Sequence, residues 1–203
     1  MLPTLTRRVV GLGMLAGFAR PAVALADYAP TAPAAGAAIT AKQVAFQDAM
    51  RKLWEDHITW TRLFIVDFAA GSPETEATTR RLLQNQVDIG DAVAPYYGAA
   101  AGGELTDLLK QHILQAGDVL AAAKAGDAAK LDAASKRWYA NANDIAAFLH
   151  GANPEAWPLA AMQAMMKSHL DDTTAEAAAH LEGDWAADIA AYDKVHAQIL
   201  GMA

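Results

Sequence analysis

From Ala41 onward apolar residues return every three to four positions, the period of helices facing a core, and no stretch sustains the two-residue alternation of a strand. Helix one is predicted over Ala41–Ala69, opened by a Thr40/Gln43 capping box and stopped at Gly71. Ser72-Pro73-Glu74 then predicts a restart, with Ser72 as N-cap and Pro73 in the first helical position, and helix two runs to Ala94 before Pro95 and Gly98. Helix three is expected over Glu104–Ala125, ending at Gly126. Asp127 caps helix four, which reaches Leu149 before Gly151. Asn153-Pro154 and Pro158 make a broken entry to helix five, which ends near Gly183. Asp184 caps helix six, which ends near Gly201. The expected class is all-α.

An internal repeat refines this expectation. His57, His112 and His169 lie 55 and 57 residues apart, and each is followed 14 residues later by a glycine, namely Gly71, Gly126 and Gly183. Ser72, Asp127 and Asp184 come next, so a helix stop and a helix cap recur in phase with each histidine. Leu109-Lys110-Gln111-His112-Ile113 parallels Met166-Lys167-Ser168-His169-Leu170, and Asn85-Gln86-Val87-Asp88-Ile89 parallels Asn141-Ala142-Asn143-Asp144-Ile145. These matches predict a six-helix bundle built from three αα-hairpins, since one hairpin cannot bury its own apolar face.

The first 26 residues depart from this pattern. Arg7 and Arg8 precede the apolar run Val9–Phe18, and Ala24-Leu25-Ala26 offers a small-x-small cleavage site, so residues 1–26 read as an export signal. Thr6-Arg7-Arg8-Val9-Val10 partly matches a twin-arginine signal, with general secretion as the other route. Residues 27–39, rich in Pro, Ala and Gly, read as a flexible leader to a domain at 40–203, and the expected location is the periplasm. Cleavage would remove Arg7, Arg8 and Arg20, leaving 13 basic residues of the original 16 against 23 acidic ones, a net charge of −10. Such a charge disfavours nucleic acid and anionic lipid surfaces, and no transmembrane helix is expected in the mature chain. There is no cysteine, which excludes thiolate chemistry, iron–sulfur clusters and covalently attached haem.

The candidate chemistry lies in the histidines. Helical spacing sets His57 with Leu53, Trp54, Trp60, Thr61 and Phe64, and His112 with Leu108, Leu109, Ala116 and Val119. It sets His169 with Met162, Met165, Met166 and Thr173, and His196 with Ile189, Tyr192, Asp193 and Leu200. All four are expected on apolar faces, where a polar ring needs a partner. Imidazoles joined by carboxylates suit a divalent transition metal, and His57, His112, His169, His196, Asp88 and Asp144 are the candidate ligands. The competing reading makes each histidine a core residue satisfied by an Asp, Asn or Thr from a neighbouring helix.

Weaker candidates are a copper site at Met162, Met165, Met166 and His169, and acid–base chemistry at Glu55-Asp56-His57. His180 reads as an exposed helix-end cation and His150 as a helix C-terminal complement. The five tryptophans read as core or junction anchors, and Arg62 as a partner of Asp88 or Asp91. No catalytic residue is assigned, because no nucleophile, Glu-x-x-His pair or His-Glu-x-x-His motif is present.

Leu53-Trp54-Glu55-Asp56-His57-Ile58-Thr59-Trp60-Thr61-Arg62, with Asn85–Gly90 and Tyr192–His196, resembles a family of small bacterial helical proteins with no established activity. The resemblance covers most of residues 41–202. It implies the helical fold and points to the Trp-Glu-Asp-His-x-x-Trp-Thr-Arg segment as the place to look for a site. Three functions follow as expectations: a periplasmic metal-binding bundle, a non-enzymatic interaction or stress protein with structural histidines, and a metal- or His/Asp-dependent hydrolase. The balance favours binding over catalysis.

Overall fold

The computed structural model describes residues 39–202; the expected export signal and nearly all of the 27–39 leader lie outside the described residues. Six helices follow one another: α1 (Ala41–Ala70), α2 (Thr75–Tyr97), α3 (Ala99–Ala125), α4 (Ala128–Ala152), α5 (Leu159–Glu182) and α6 (Trp185–Leu200). No strand occurs among the described residues. Each helix packs on its neighbours in sequence and α6 returns to α1, so the bundle is closed rather than an open stack. α5 also touches α1 and α3 across the interior.

The ends of the helices follow local chemistry. Thr40 and Gln43 form the expected reciprocal capping box. Gly71, Gly126 and Gly183 terminate α1, α3 and α5 in the left-handed region, with φ of 66°, 67° and 75°, which a side chain would strain. Asp127 and Asp184 accept hydrogen bonds from the backbone N–H of Lys130 and Ala187, as N-caps should.

Four boundaries differ from expectation by two residues or more, one of them the end of α4, which runs through Gly151 to Ala152 and does not stop at Leu149. α2 begins at Thr75, because Ser72 and Pro73 form a turn whose Ser72 carbonyl accepts from the Thr75 N–H. α2 continues through Pro95 to Tyr97, where the missing N–H falls in the last turn. α3 starts at Ala99 rather than Glu104, carrying Gly102 and Gly103 inside the helix. Gly102 is there because α2 and α3 cross closely. A Cβ on Gly90 would lie 2.5 Å from the Gly102 carbonyl oxygen, and one on Gly102 would lie 2.6 Å from that of Gly90.

Two apolar clusters fill the interior. The larger includes Met50, Trp54 and Ile58 of α1, Leu105 and Leu109 of α3, Trp138 and Ile145 of α4, and Met162, Met165, Met166 and Leu170 of α5. The smaller lies toward the α1–α2 and α3–α4 turns and comprises Phe64, Ile65, Leu82, Ile113 and Leu120. No described helix is long and apolar enough to cross a membrane.

The close crossing yields a paired test. Gly90→Ala or Gly102→Ala should each destabilise the fold by about 1–3 kcal/mol, because a backbone carbonyl oxygen is in the way at both, joined by the Thr106 hydroxyl at Gly90. Gly103→Ala, with open space around its Cβ, should stabilise by about 0.5–1 kcal/mol. Urea denaturation of the three variants measures both signs, and equal effects at 102 and 103 would contradict the close approach.

Candidate functional site

α1, α3 and α5 each bring one histidine to the interior. His57, His112 and His169 are 4, 4 and 6 % exposed, so the three rings are sealed from solvent. Ring centroids lie 6.0 Å apart for His57 and His169, and 6.4 Å apart for His112 and His169. The trio sits where the two apolar clusters meet, between Trp54 and Ile58 on one side and Phe64 and Ile113 on the other.

Each ring is held by a carboxamide from the following helix. His112 Nδ1 is 2.8 Å from Asn141 Oδ1, while Asn141 Nδ2 donates to the Leu108 carbonyl at 3.1 Å. Since the amide nitrogen is spent on a carbonyl, the oxygen faces the ring, and Nδ1 must carry the proton. His169 repeats the arrangement: Nδ1 is 3.1 Å from Gln198 Oε1, and Gln198 Nε2 donates to the Met165 carbonyl at 3.1 Å. In both cases the accepting carbonyl lies one turn before the histidine. His57 divides the task between two residues. Gln86 Nε2 approaches its Nδ1 at 3.3 Å, and Asn85 Nδ2 donates to the Leu53 carbonyl at 3.0 Å. Fixing Nδ1–H in this way leaves Nε2 as the atom with a free lone pair on His112 and His169.

Burial controls the charge of the layer. It pushes the imidazoles of His57 and His112 down to about 3 and that of His169 to about 4, with neighbouring rings opposing protonation of His57 and His112 further. The layer is therefore neutral at neutral pH. Around it four buried polar atoms have no hydrogen-bond partner: the indole N–H of Trp54 and of Trp138, Gln86 Oε1 and Thr173 Oγ1. The Trp54 ring is 5.7 Å from His57 and the Trp138 ring 5.3 Å from His112.

The other three candidate ligands are not brought to the trio. Asp88 is half-buried on the outer side of α2, paired with Gln84 at 3.0 Å and 3.9 Å from Arg81. Asp144 is exposed. Asn85 with Ile89, and Asn141 with Ile145, take the inward positions of their helices, and the aspartates fall off that face. His196 is half-buried and stacks on Tyr192 at 6.2 Å, on the side of α6 away from Gln198. Among the described residues no three His, Asp or Glu side chains are spaced to share an ion. Met162, Met165 and Met166 are ordinary members of the larger core, Glu55 is exposed, and Asp56 pairs outward with Lys52 at 2.6 Å.

A second polar cluster was only half visible in the sequence. Arg62 binds Asp188 through both guanidinium nitrogens and Glu176 at 3.0 Å, rather than Asp88 or Asp91. Asp188 also accepts from His180 Nδ1 at 2.9 Å, so His180 is not the exposed cation expected from its position. Glu176 and Asp188 are 2 and 1 % exposed. Hydrogen bonds from Arg62 and His180 hold the Asp188 carboxyl below its ordinary range, whereas burial outweighs Arg62 at Glu176 and raises it. Trp185, expected as an anchor, is 59 % exposed and packs its edge against His180.

No family model matches the chain, and neither the curated proteins nor the solved structures include a detectable relative.

Two outcomes follow from the electrostatics. The folded chain keeps the trio neutral far below the ordinary imidazole value of 6.5, so an unfolded chain takes up protons first as pH falls. Stability from the trio should be complete above about pH 6.5 and be lost progressively toward pH 3–4. The urea midpoint should drop between pH 7 and pH 5, and a His57→Gln/His112→Gln/His169→Gln variant should show a flatter profile. Arg62→Met should cost about 3–5 kcal/mol at pH 7 by stranding two buried carboxylates, with part of the loss recovered at lower pH as Glu176 is protonated. A loss that grows on acidification would contradict the pairing.

Proposed function

We propose that the protein binds one divalent transition-metal ion at the layer formed by His57, His112 and His169. The observation that carries this reading is the carboxamide relay. Metal-ligating histidines characteristically donate their second ring nitrogen to an oxygen acceptor that fixes tautomer and orientation, and Asn141 and Gln198 do this for His112 and His169. The rings are already neutral, so on His112 and His169 binding displaces no imidazole proton at neutral pH, while His57, whose Nδ1 accepts from Gln86 Nε2, must first move its proton from Nε2 to Nδ1 as the Gln86 amide turns over.

Binding requires a rearrangement, since the three side chains are not spaced to share an ion as they stand. Three imidazoles on one ion at metal–nitrogen distances of about 2.0–2.1 Å have ring centroids roughly 5–5.5 Å apart. The 6.0 and 6.4 Å separations would therefore contract by about 1 Å. Zinc, copper and nickel suit an imidazole set of this kind. A fourth, oxygen ligand would find unpartnered donors in the indole N–H groups of Trp54 and Trp138. Asp88, Asp144 and His196 have no part in this site. The sealed setting and the lack of a nucleophile favour holding or handling a metal over hydrolysis.

The spacing of histidine and carboxamide supports reading the bundle as three αα-hairpins, α1–α2, α3–α4 and α5–α6, with the relay itself made by the second and third and divided between Asn85 and Gln86 in the first. Each supplies a histidine from its first helix and, 29 residues later, a carboxamide from its second. Residues 1–26, read as an export signal, would deliver this bundle to the periplasm.

The test is metal loading of the untagged, metal-free chain with zinc, copper, nickel, iron and manganese in turn, read by mass spectrometry and thermal melting. One ion per chain is expected. At a free-ion concentration a hundredfold above Kd it should stabilise by about 2.7 kcal/mol. That corresponds to roughly 5–10 °C in Tm. A folded His112→Gln variant should lose both effects. A wild-type chain that retains none of the five ions overturns the reading, and the histidines then act as core hydrogen-bonders.

A further inference from the structure

The sealed histidine layer raises the question of access, and α5 carries an unusual stripe that answers it. His169, Thr173, Glu176 and His180 follow one another at spacings of four, three and four residues, so they share one face of the helix. At that face a core helix normally carries apolar side chains. Here Thr173 and Glu176 are 7 and 2 % exposed, and His180 is mostly buried. The smaller apolar cluster accordingly contains no fully buried residue of α5 and draws only on the partly buried Ala177 and Leu181. The file runs about 16 Å along the helix axis, from the trio to the end of α5.

An ion-pair network alone does not account for this file. Arg62, Glu176, Asp188 and His180 satisfy one another, but Thr173 lies between that network and His169 with its buried hydroxyl unpartnered. A buried hydroxyl without a partner costs stability unless a ligand, solvent molecule or ion visits it. Two carboxylates face a single guanidinium at the outer end, and the Arg62 side chain is one-fifth exposed. The indole of Trp185 packs on His180 at the mouth.

We infer that Thr173, Glu176 and His180 line the route by which a divalent cation enters and leaves the histidine layer, with Arg62 occupying the carboxylates when no cation is passing. The inference rests on the metal-binding reading. Glu176 is a transfer ligand on this route and Thr173 a neutral oxygen one turn from His169. Neither is a ligand of the final site.

The experiment follows cobalt(II) uptake by the metal-free full chain in a stopped-flow spectrophotometer, and its release to excess chelator. Wild type is compared with Thr173→Val and Glu176→Gln, and with Glu182→Gln, at the exposed end of α5, as the control. A route predicts that uptake and release both slow by about tenfold or more in the first two variants while Kd stays within about threefold. Unchanged rates in variants that still bind cobalt overturn the route and leave the metal site standing. A weakened Kd with only release accelerated makes Glu176 a ligand and also overturns it. If wild type takes up no cobalt and retains none of zinc, copper, nickel, iron and manganese, the metal reading and the route fall together. Should Glu176→Gln fail to fold, the nearly isosteric Thr173→Val decides alone.

Discussion

The fold is organised around an imidazole buried against a carboxamide. A ring sealed in a core must spend its N–H on an acceptor, and the group that accepts must satisfy its own remaining polarity in the same dry space. A carboxylate would accept equally well but has no hydrogen to offer the Leu108 or Met165 carbonyl, and it would bring a charge with it. A carboxamide has an oxygen for the ring and a nitrogen for the carbonyl one turn earlier, so each pair closes without charge. The pair also fixes the rotation of both helices, because the amide must reach a ring and a backbone oxygen at once. The registry of α3 on α4 and of α5 on α6 follows from that double requirement, with apolar packing filling in around it.

That constraint separates the interior into a neutral layer and an ionic end. The trio and its carboxamides carry no charge at neutral pH, and the larger apolar cluster extends from them toward the α2–α3 and α4–α5 connections. Toward the α1–α2 and α5–α6 turns the interior narrows to a smaller cluster, and α5 presents polar rather than apolar groups beside it. Charged side chains are tolerated there because each has a partner: Arg62 against two carboxylates, and Asp188 against Arg62 and His180. The stacking of Arg62 over the Tyr192 ring, 5.6 Å from its centroid, ties α6 back to α1 at the same end.

Much of this was legible in the sequence. The six helices, the three left-handed glycine stops, the Thr40 box and the Asp127 and Asp184 caps all rest on short-range rules, so residues within a few positions decide them. Helical spacing likewise turned His57, His112 and His169 inward. The hydrogen-bond partners were left open as an Asp, Asn or Thr from a neighbouring helix, with Asp88 and Asp144 named as metal ligands; Asn85 and Asn141, three residues earlier, are the ones that share the inward face with Ile89 and Ile145. A signal for the right choice existed: a carboxamide stands 29 residues after each histidine, at Gln86, Asn141 and Gln198. The Arg62 network was out of reach for a different reason. Its members are 114 and 126 residues apart in the chain, and only the return of α6 to α1 makes them neighbours.

The two polar features differ in what they ask of the surrounding fold, and that difference connects them. A neutral layer gains from being dry, since every hydrogen bond in it strengthens as water is excluded. An ionic cluster at the rim needs water or a counter-charge within reach, and Arg62 keeps one-fifth of its side chain exposed for that reason. A fold that needed only a stable core would separate the two with apolar side chains, as it does on α3, where Ala116 and Val119 follow His112 at the same spacings. On α5 it places Thr173 and Glu176 at those positions instead, and so gives up apolar burial between the dry layer and the wet rim. That sacrifice is the strongest physical reason to regard the histidine layer as a place that exchanges something with solvent, and not merely as a device for aligning helices.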